Sequence, residues 1–144
     1  MIGDLAEYEK RTDLFVASAA DIESALFGPT RCAEVLVAWD GADAAGFALY
    51  FHNFSTFLGR PGLWLEDLFV RPAFRRRGCA NALLGRLARI ACDRGCGRFE
   101  WAVLDWNAPA IAFYRALGAA VMPEWRIVRV VGQALDRLAD RNAV

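Results

Sequence analysis

The sequence predicts an α/β fold, a mixed and mostly antiparallel sheet with a central parallel strand–helix–strand unit. Three observations carry that expectation. Residues 32–39 are β-rich through Val35, Leu36 and Val37. After the turn Asp40-Gly41-Ala42-Asp43, residues 46–54 return as a second strand, which makes an antiparallel hairpin. Residues 63–70 and 99–104 are apolar strand runs separated by a helical pattern, and such a crossover pairs its strands in parallel with a right-handed turn. The chain of 144 residues is 56% hydrophobic and 24% charged, which suits one domain spanning residues 1–144 around one core.

Each element has a local reason. Residues 4–10 read as the end of a helix with Leu5, Ala6 and Tyr8 on its apolar side. Ser18 followed by Asp21 is a capping pair for a short helix through Ile22, Ala25, Leu26 and Phe27, stopped by Gly28-Pro29. The hairpin follows, then a loop over residues 55–61, then the third strand, ended by Arg71-Pro72. Beyond Gly78, Ala80, Leu83, Leu84, Leu87 and Ala91 recur at helical spacing, and Gly95 and Gly97 end that helix. The fourth strand comes next. Asn107-Ala108-Pro109 opens another helix through Ile111, Phe113, Tyr114 and Leu117, closed by Gly118. Residues 125–131 read as a fifth strand and residues 133–140 as a last helix.

Composition excludes several function classes. The 17 Lys and Arg balance the 17 Asp and Glu, so a surface built to bind a polyanion is not expected. Lys10 is the only lysine, and the arginine and alanine excess reads as drift toward GC-rich coding. No apolar window of membrane length lacks charge, and the first residues lack the basic and apolar regions of a secretory leader. Cys32, Cys79, Cys92 and Cys96 are spaced neither as a zinc site nor as a redox pair, so reduced thiols in the cytosol are expected. No metal, nucleic-acid or membrane partner is implied. His52, the only histidine, has no visible orienting partner. Trp39, Phe47, Phe51, Phe54, Phe57, Trp64 and Phe69 read mostly as core at strand spacing, with Phe57 or Trp64 able to line an acceptor site.

The segment that carries chemistry runs from Leu68 to Asn81: a strand, a short basic turn, Gly78 and a helix start. Free backbone N–H groups at a helix start form a phosphate cradle, and Arg75, Arg76 and Arg77 surround it with positive charge. The spacing matches neither a nucleoside-triphosphate loop nor a dinucleotide fingerprint. Physics alone leaves two readings open, a phosphate or pyrophosphate ligand and a solvated arginine run ahead of a capped helix.

Arg75-Arg76-Arg77-Gly78-Cys79-Ala80 resembles the [Q/R]-x-x-G-x-[G/A] signature of the Gcn5-related N-acetyltransferases (GNAT). Gly46-Phe47-Ala48-Leu49-Tyr50, Leu65-Glu66-Asp67-Leu68-Phe69-Val70, Trp106-Asn107-Ala108-Pro109-Ala110-Ile111-Ala112-Phe113-Tyr114 and Gly118-Ala119 before Glu124-Trp125-Arg126 extend the match. Together they resemble the diamine (spermidine/spermine-type) branch, over residues 4–131. The resemblance implies a GNAT fold, acetyl-coenzyme A as co-substrate, a homodimer and a small amine acceptor.

Specific roles follow from that resemblance. The backbone of Leu68, Phe69 and Val70 is expected along the pantetheine arm, where an N–H can stabilise an oxyanion. The backbone of Arg76, Arg77, Gly78, Cys79, Ala80 and Asn81 is expected on the pyrophosphate, with Arg75 at the first signature position. Asn107, with Ala110 beside it, matches a cofactor contact, and Tyr114 the tyrosine beside the thioester sulfur. An alkylammonium has a pKa of about 10, so a base must remove its proton before attack. Glu66 matches that base and Asp67 a contact to the cationic substrate. Adjacent strand residues point to opposite faces, so both reach one pocket only if a bulge intervenes. Tyr114 can protonate the leaving thiolate. Tyr8 and Glu9 match a "YE" pair at the polyamine end, and Glu124 a further acidic contact. The acceptor is then a diamine, a polyamine or a lysine-like group. The alternatives are an amino acid, drug or protein amine, or a catalytically weak acyl-coenzyme A-binding module.

The sequence departs from the pattern in two places. Arg76 and Ala80 stand where relatives often carry Gly, and Arg76 is expected to take ordinary φ. Only Met1-Ile2-Gly3-Asp4 precede Leu5-Ala6-Glu7-Tyr8-Glu9, so the first strand of the family is expected to be missing, leaving an open sheet edge.

Overall fold

The computed structural model describes residues 1–141. It contains α1 (Ile2–Tyr8), α2 (Ala19–Phe27), β1 (Glu34–Asp40), β2 (Asp43–Ser55), β3 (Arg60–Val70), α3 (Cys79–Asp93), β4 (Arg98–Trp101), α4 (Ala108–Ala116) and α5 (Gln133–Ala139). Short 3₁₀ turns at Thr12–Leu14 and Pro72–Phe74 complete the regular structure. One compact unit spans Met1–Ala102 and a second begins at Val103.

The first unit holds a four-stranded sheet of order β1-β2-β3-β4. The first two pairings are antiparallel and β3–β4 is parallel, so the α/β class and the mixed sheet are as expected. Two helices sandwich the sheet. Leu5 of α1 is buried against Phe47 and Phe69 on one face. On the other, α3 lies across β2 and β3, burying Leu83, Leu84, Leu87 and Ala91 of the expected stripe together with Ile90, while Ala80 is only partly buried. Leu63, Leu65 and Leu87 are the largest fully buried side chains.

Local chemistry sets the helix ends. Ser18 Oγ accepts from the Asp21 amide at 3.2 Å while Asp21 Oδ2 accepts from the Ser18 amide at 2.8 Å, the reciprocal cap that starts α2. α3 ends with the Cys96 N–H on the Ala91 carbonyl at 2.8 Å and the Gly95 N–H on the Cys92 carbonyl at 3.0 Å. At the same end, Arg94 pairs with Glu34 of β1 through both guanidinium nitrogens, and Tyr50 donates to Glu34 at 3.1 Å. This network ties the helix terminus to the first two strands.

Gly46 lets β2 come close to β3. A Cβ there would lie 2.6 Å from the Phe69 carbonyl oxygen, so no side chain fits.

Two boundaries differ from expectation. β4 stops at Trp101 instead of reaching residue 104, because pairing with β3 ends at Leu65↔Trp101. Residues 125–131 form no strand. A strand needs a paired neighbour, and among the described residues of the second unit there is none. Val128 is 88% exposed there.

Leu87 is fully buried in the apolar stripe of α3, so Leu87→Ala is expected to cost about 2–5 kcal/mol. Urea denaturation, with the slope of the transition unchanged, checks this.

Candidate active site

The site is built on the outer half of β3. Along β2, Leu49 faces Asp67 while its neighbour Tyr50 faces Leu65, so Glu66 is an extra residue with no partner, a β-bulge. The bulge has three consequences. It turns Glu66 and Asp67 toward the same face. It places both opposite the α3 side, where Leu65 is buried. It also bends β3 away from β4, so pairing ends one residue before it.

Beyond the bulge, β3 keeps its pairing with β2 and has an open edge on the β4 side. The Phe69 carbonyl faces Gly46, and the Arg71 N–H donates to the Ala45 carbonyl at 2.9 Å. Antiparallel alternation then turns the backbone groups of Leu68 and Val70 to the open edge. The Val70 carbonyl there accepts from Arg75 Nε at 3.0 Å. Of the three residues expected along a pantetheine arm, Leu68 and Val70 turn their N–H groups that way. Phe69 pairs inward and buries its ring against Leu5.

The basic turn follows. Arg75 is extended (φ −67°, ψ 157°), Arg76 is left-handed at φ 61° and Gly78 left-handed at φ 82°. The expectation of ordinary φ at Arg76 is therefore corrected. The chain must reverse sharply between β3 and α3, and that demand overrides the residue's preference at a cost of about 1 kcal/mol or more. Nothing lies within 4 Å of a Cβ at Gly78, so its requirement is conformational and not steric. No side chain caps α3, leaving the amides of Cys79, Ala80 and Asn81 for an anion.

The arginines divide their work. Arg75 binds the Val70 carbonyl and lies over the rings of Tyr8, at 4.9 Å, and Phe69, at 5.8 Å. It thus locks the end of β3 to α1. Arg77 pairs with Asp40 at 3.3 Å and lies over Phe74 at 5.6 Å. Arg76 is exposed.

On the face that Glu66 and Asp67 share, charge accumulates. Burial, and then the negative charges of Glu66 and Glu9, push Asp67 up to about 6. Burial also raises Glu9, against the pull of Arg11. Glu9 is the C-cap of α1, where Lys10 takes the left-handed position and the Arg11 N–H closes on the Ala6 carbonyl at 2.8 Å. Glu66 is exposed and accepts from Trp64 Nε1 at 3.0 Å. The half-buried, raised Asp67 is therefore better suited than Glu66 to hold a proton near neutral pH, a ranking that residue spacing does not reveal. The bulge could not be read from one strand, because it is a property of register between two.

The remaining expected residues lie in the second unit. Asn107 is the N-cap of α4, its Oδ1 accepting from the Ala110 N–H at 3.3 Å. Tyr114 lies in the last turn of α4, half-buried, its ring 5.5 Å from that of Phe113. Gly118 at φ 89° closes the helix. Glu124 is exposed in the turn that follows. His52 is exposed and lines, with Arg31, Cys32, Glu34 and Phe51, an open groove of about 490 Å³ beside β1, away from the bulge.

Known proteins match this chain throughout. The model of the Acetyltransferase (GNAT) family matches residues 5–119. Thialysine N-epsilon-acetyltransferase of Bos taurus is 36% identical, over 98% of this chain and 89% of that protein. L-ornithine N5-acetyltransferase of Arabidopsis thaliana is 45% identical over 68% of this chain, a match that spans 43% of the plant protein. Among solved structures, an integron cassette protein from the mobile metagenome of V. cholerae superposes with a TM-score of 0.80 at 28% identity, covering 95% of this chain and 86% of that one.

Two stability outcomes follow from the site. Arg76→Gly is expected to hold or raise stability by up to about 1 kcal/mol, and Arg76→Val to lower it by about 1–2 kcal/mol, because a β-branched residue resists the left-handed conformation. Asp67→Asn is expected to stabilise the fold by about 1–3 kcal/mol above pH 6. A raised carboxyl pKa means that the folded chain holds its proton longer than the unfolded one, so wild-type stability declines between about pH 4 and pH 6. Below pH 4 both states are protonated and the two proteins converge. Denaturation at pH 4 and pH 8 checks both expectations.

Proposed function

The chain belongs to the Acetyltransferase (GNAT) family, and on that premise we propose that it transfers an acetyl group from acetyl-coenzyme A to the amine of a small acceptor bearing a second charged group. The observation that carries the proposal is the bulge at Glu66. It joins an open backbone edge at Leu68 and Val70 to a face holding Glu66, Asp67 and Glu9.

The residues present fit acetyl-coenzyme A. The uncapped amides of Cys79, Ala80 and Asn81, beside left-handed Gly78 and Arg76, would hold the pyrophosphate. The Val70 N–H would hold the pantetheine arm, the Leu68 N–H is left for the thioester carbonyl, and the resemblance assigns Asn107 and Ala110 to the cofactor as well. The co-substrate supplies an activated acyl carbon whose C–S bond breaks as the new C–N bond forms.

The chain's own groups manage charge and protons. Three carboxylates favour a multiply cationic acceptor. Asp67 takes the ammonium proton, directly or through water, which frees the nitrogen lone pair. The base assigned to Glu66 by resemblance thus moves one residue along, and Glu66 becomes an anionic contact. The resemblance assigns Tyr8, Glu9 and Glu124 to the acceptor. The Leu68 N–H stabilises negative charge on the carbonyl oxygen. Tyr114, which the resemblance sets beside the thioester sulfur, donates its hydroxyl proton to the departing thiolate. The relatives named for thialysine and ornithine, each an amino acid with a side-chain amine, support a lysine-like acceptor. We also place the protein in the cytosol as a homodimer of a single-domain chain.

The test is thiol release from acetyl-coenzyme A with a panel of thialysine, ornithine, lysine, spermidine and an aminoglycoside. Release is expected with the doubly charged acceptors. Coenzyme A binding without thiol release from acetyl-coenzyme A in the presence of any of these amines would establish a binding module instead.

Tyr114→Phe is expected to lower kcat by about 10²–10⁴-fold with coenzyme A affinity within threefold, read by steady-state kinetics and calorimetry. The kcat/KM of the wild type is expected to fall tenfold per pH unit below about pH 6 as Asp67 protonates, and Asp67→Asn to lose that limb and about 10²–10⁴-fold in rate.

A further inference from the structure

We propose that Trp64 is a positioning residue for the acceptor amine. It holds the Glu66 carboxylate in one orientation, so that Glu66 presents its second oxygen to the substrate's ammonium. This rests on the acetyltransferase reading above and adds a residue to it.

The geometry begins with the backbone. Trp64 faces Phe51 on β2 and Glu100 on β4, so it is paired on both sides, two residues before the bulge. Its backbone has a register partner on each neighbouring strand, and that of Glu66 has none. The indole ring is held in turn, its centroid 6.5 Å from that of Phe51 and tilted by 36°. From this rigid mount, Nε1–H donates to Glu66 Oε2 at 3.0 Å.

Glu66 needs such a guide. It is exposed, unpaired across β2 and carried on a long side chain, so its carboxylate would otherwise sample several rotamers. An indole nitrogen is a donor only, so it can engage an oxygen of Glu66 but cannot compete for the substrate's N–H groups. With Oε2 held, Oε1 is the oxygen left for a cation. The next residue, Asp67, has no such bond to Trp64 and keeps its own oxygens for proton transfer. The indole therefore separates the work of two neighbouring carboxylates, one fixed as an anchor and the other available as a base.

The decisive variant is Trp64→Phe, which removes the N–H and keeps an aromatic ring against Phe51. The acceptor KM is expected to rise about 5- to 20-fold, with kcat and the KM for acetyl-coenzyme A within twofold. Because Trp64 acts through Glu66, Trp64→Phe in a Glu66→Ala background is expected to change the acceptor KM by less than twofold. A Trp64 needed only for packing would lower Tm and leave this split unmade. A second measurement needs no folded variant at position 64. In the wild-type chain, the Trp64 indole N–H resonance is expected to move when acceptor is added and to shift in Glu66→Ala. An unmoved resonance, or an active Trp64→Phe with wild-type acceptor KM, would overturn this proposal while leaving the acetyltransferase reading intact. If no amine of the panel made the wild-type chain release thiol from acetyl-coenzyme A, that reading would fail and the role of Trp64 with it.

Discussion

One extra residue in a strand organises this protein. Without the bulge at Glu66, β3 would alternate regularly, and Glu66 and Asp67 would point to opposite faces, one of them into the leucines under α3. The parallel ladder with β4 could then continue past Leu65. The insertion of a single unpaired residue ends that ladder and leaves the Leu68 and Val70 amides unmatched by any strand. It also brings two carboxylates together. Unpaired backbone in a sheet is usually a hazard. Here it is the feature that a thioester arm would complete as if it were a strand.

The bulge imposes costs that neighbouring residues absorb. Two carboxylates and Glu9 on one face raise each other's energy, and Asp67 responds by holding its proton to about pH 6. The turn after β3 requires Arg76 to adopt a conformation that arginine disfavours. Arg75 compensates by stapling the Val70 carbonyl and stacking on Tyr8, which fixes the entry to the turn from both sides. The Arg94–Glu34–Tyr50 network anchors the far end of α3. The helix start is thus held rigidly while its amides remain uncapped. A helix optimised for stability alone would carry Ser, Thr or Asp at the cap, and its side-chain oxygen would then occupy one of the amides an anion needs.

Much of this was legible in the residues. The i, i+3, i+4, i+7 stripe of α3, the Ser18–Asp21 cap and the glycine-closed ends of α3 and α4 are local events, each decided within a few residues. So is the basic turn leading into a helix. What could not be read depends on distant partners. Residues 125–131 carry β-forming side chains, yet a strand exists only by pairing. Arg76 was expected at ordinary φ because arginine prefers it, whereas the reversal of direction between β3 and α3 decides otherwise. The assignment of Glu66 as base rested on resemblance. Burial of Asp67 and its two charged neighbours, visible only in three dimensions, are the grounds on which we propose Asp67 for that role instead.

The central claim is that the open edge of β3 and the start of α3 together grip the thioester carrier. Amide hydrogen exchange with and without coenzyme A tests it most directly. The account predicts strong protection at Leu68 and Val70 and at Cys79, Ala80 and Asn81, with little change at Phe69, whose N–H is already engaged by β2. Protection confined to the groove beside β1, or none along the splayed edge, would contradict it.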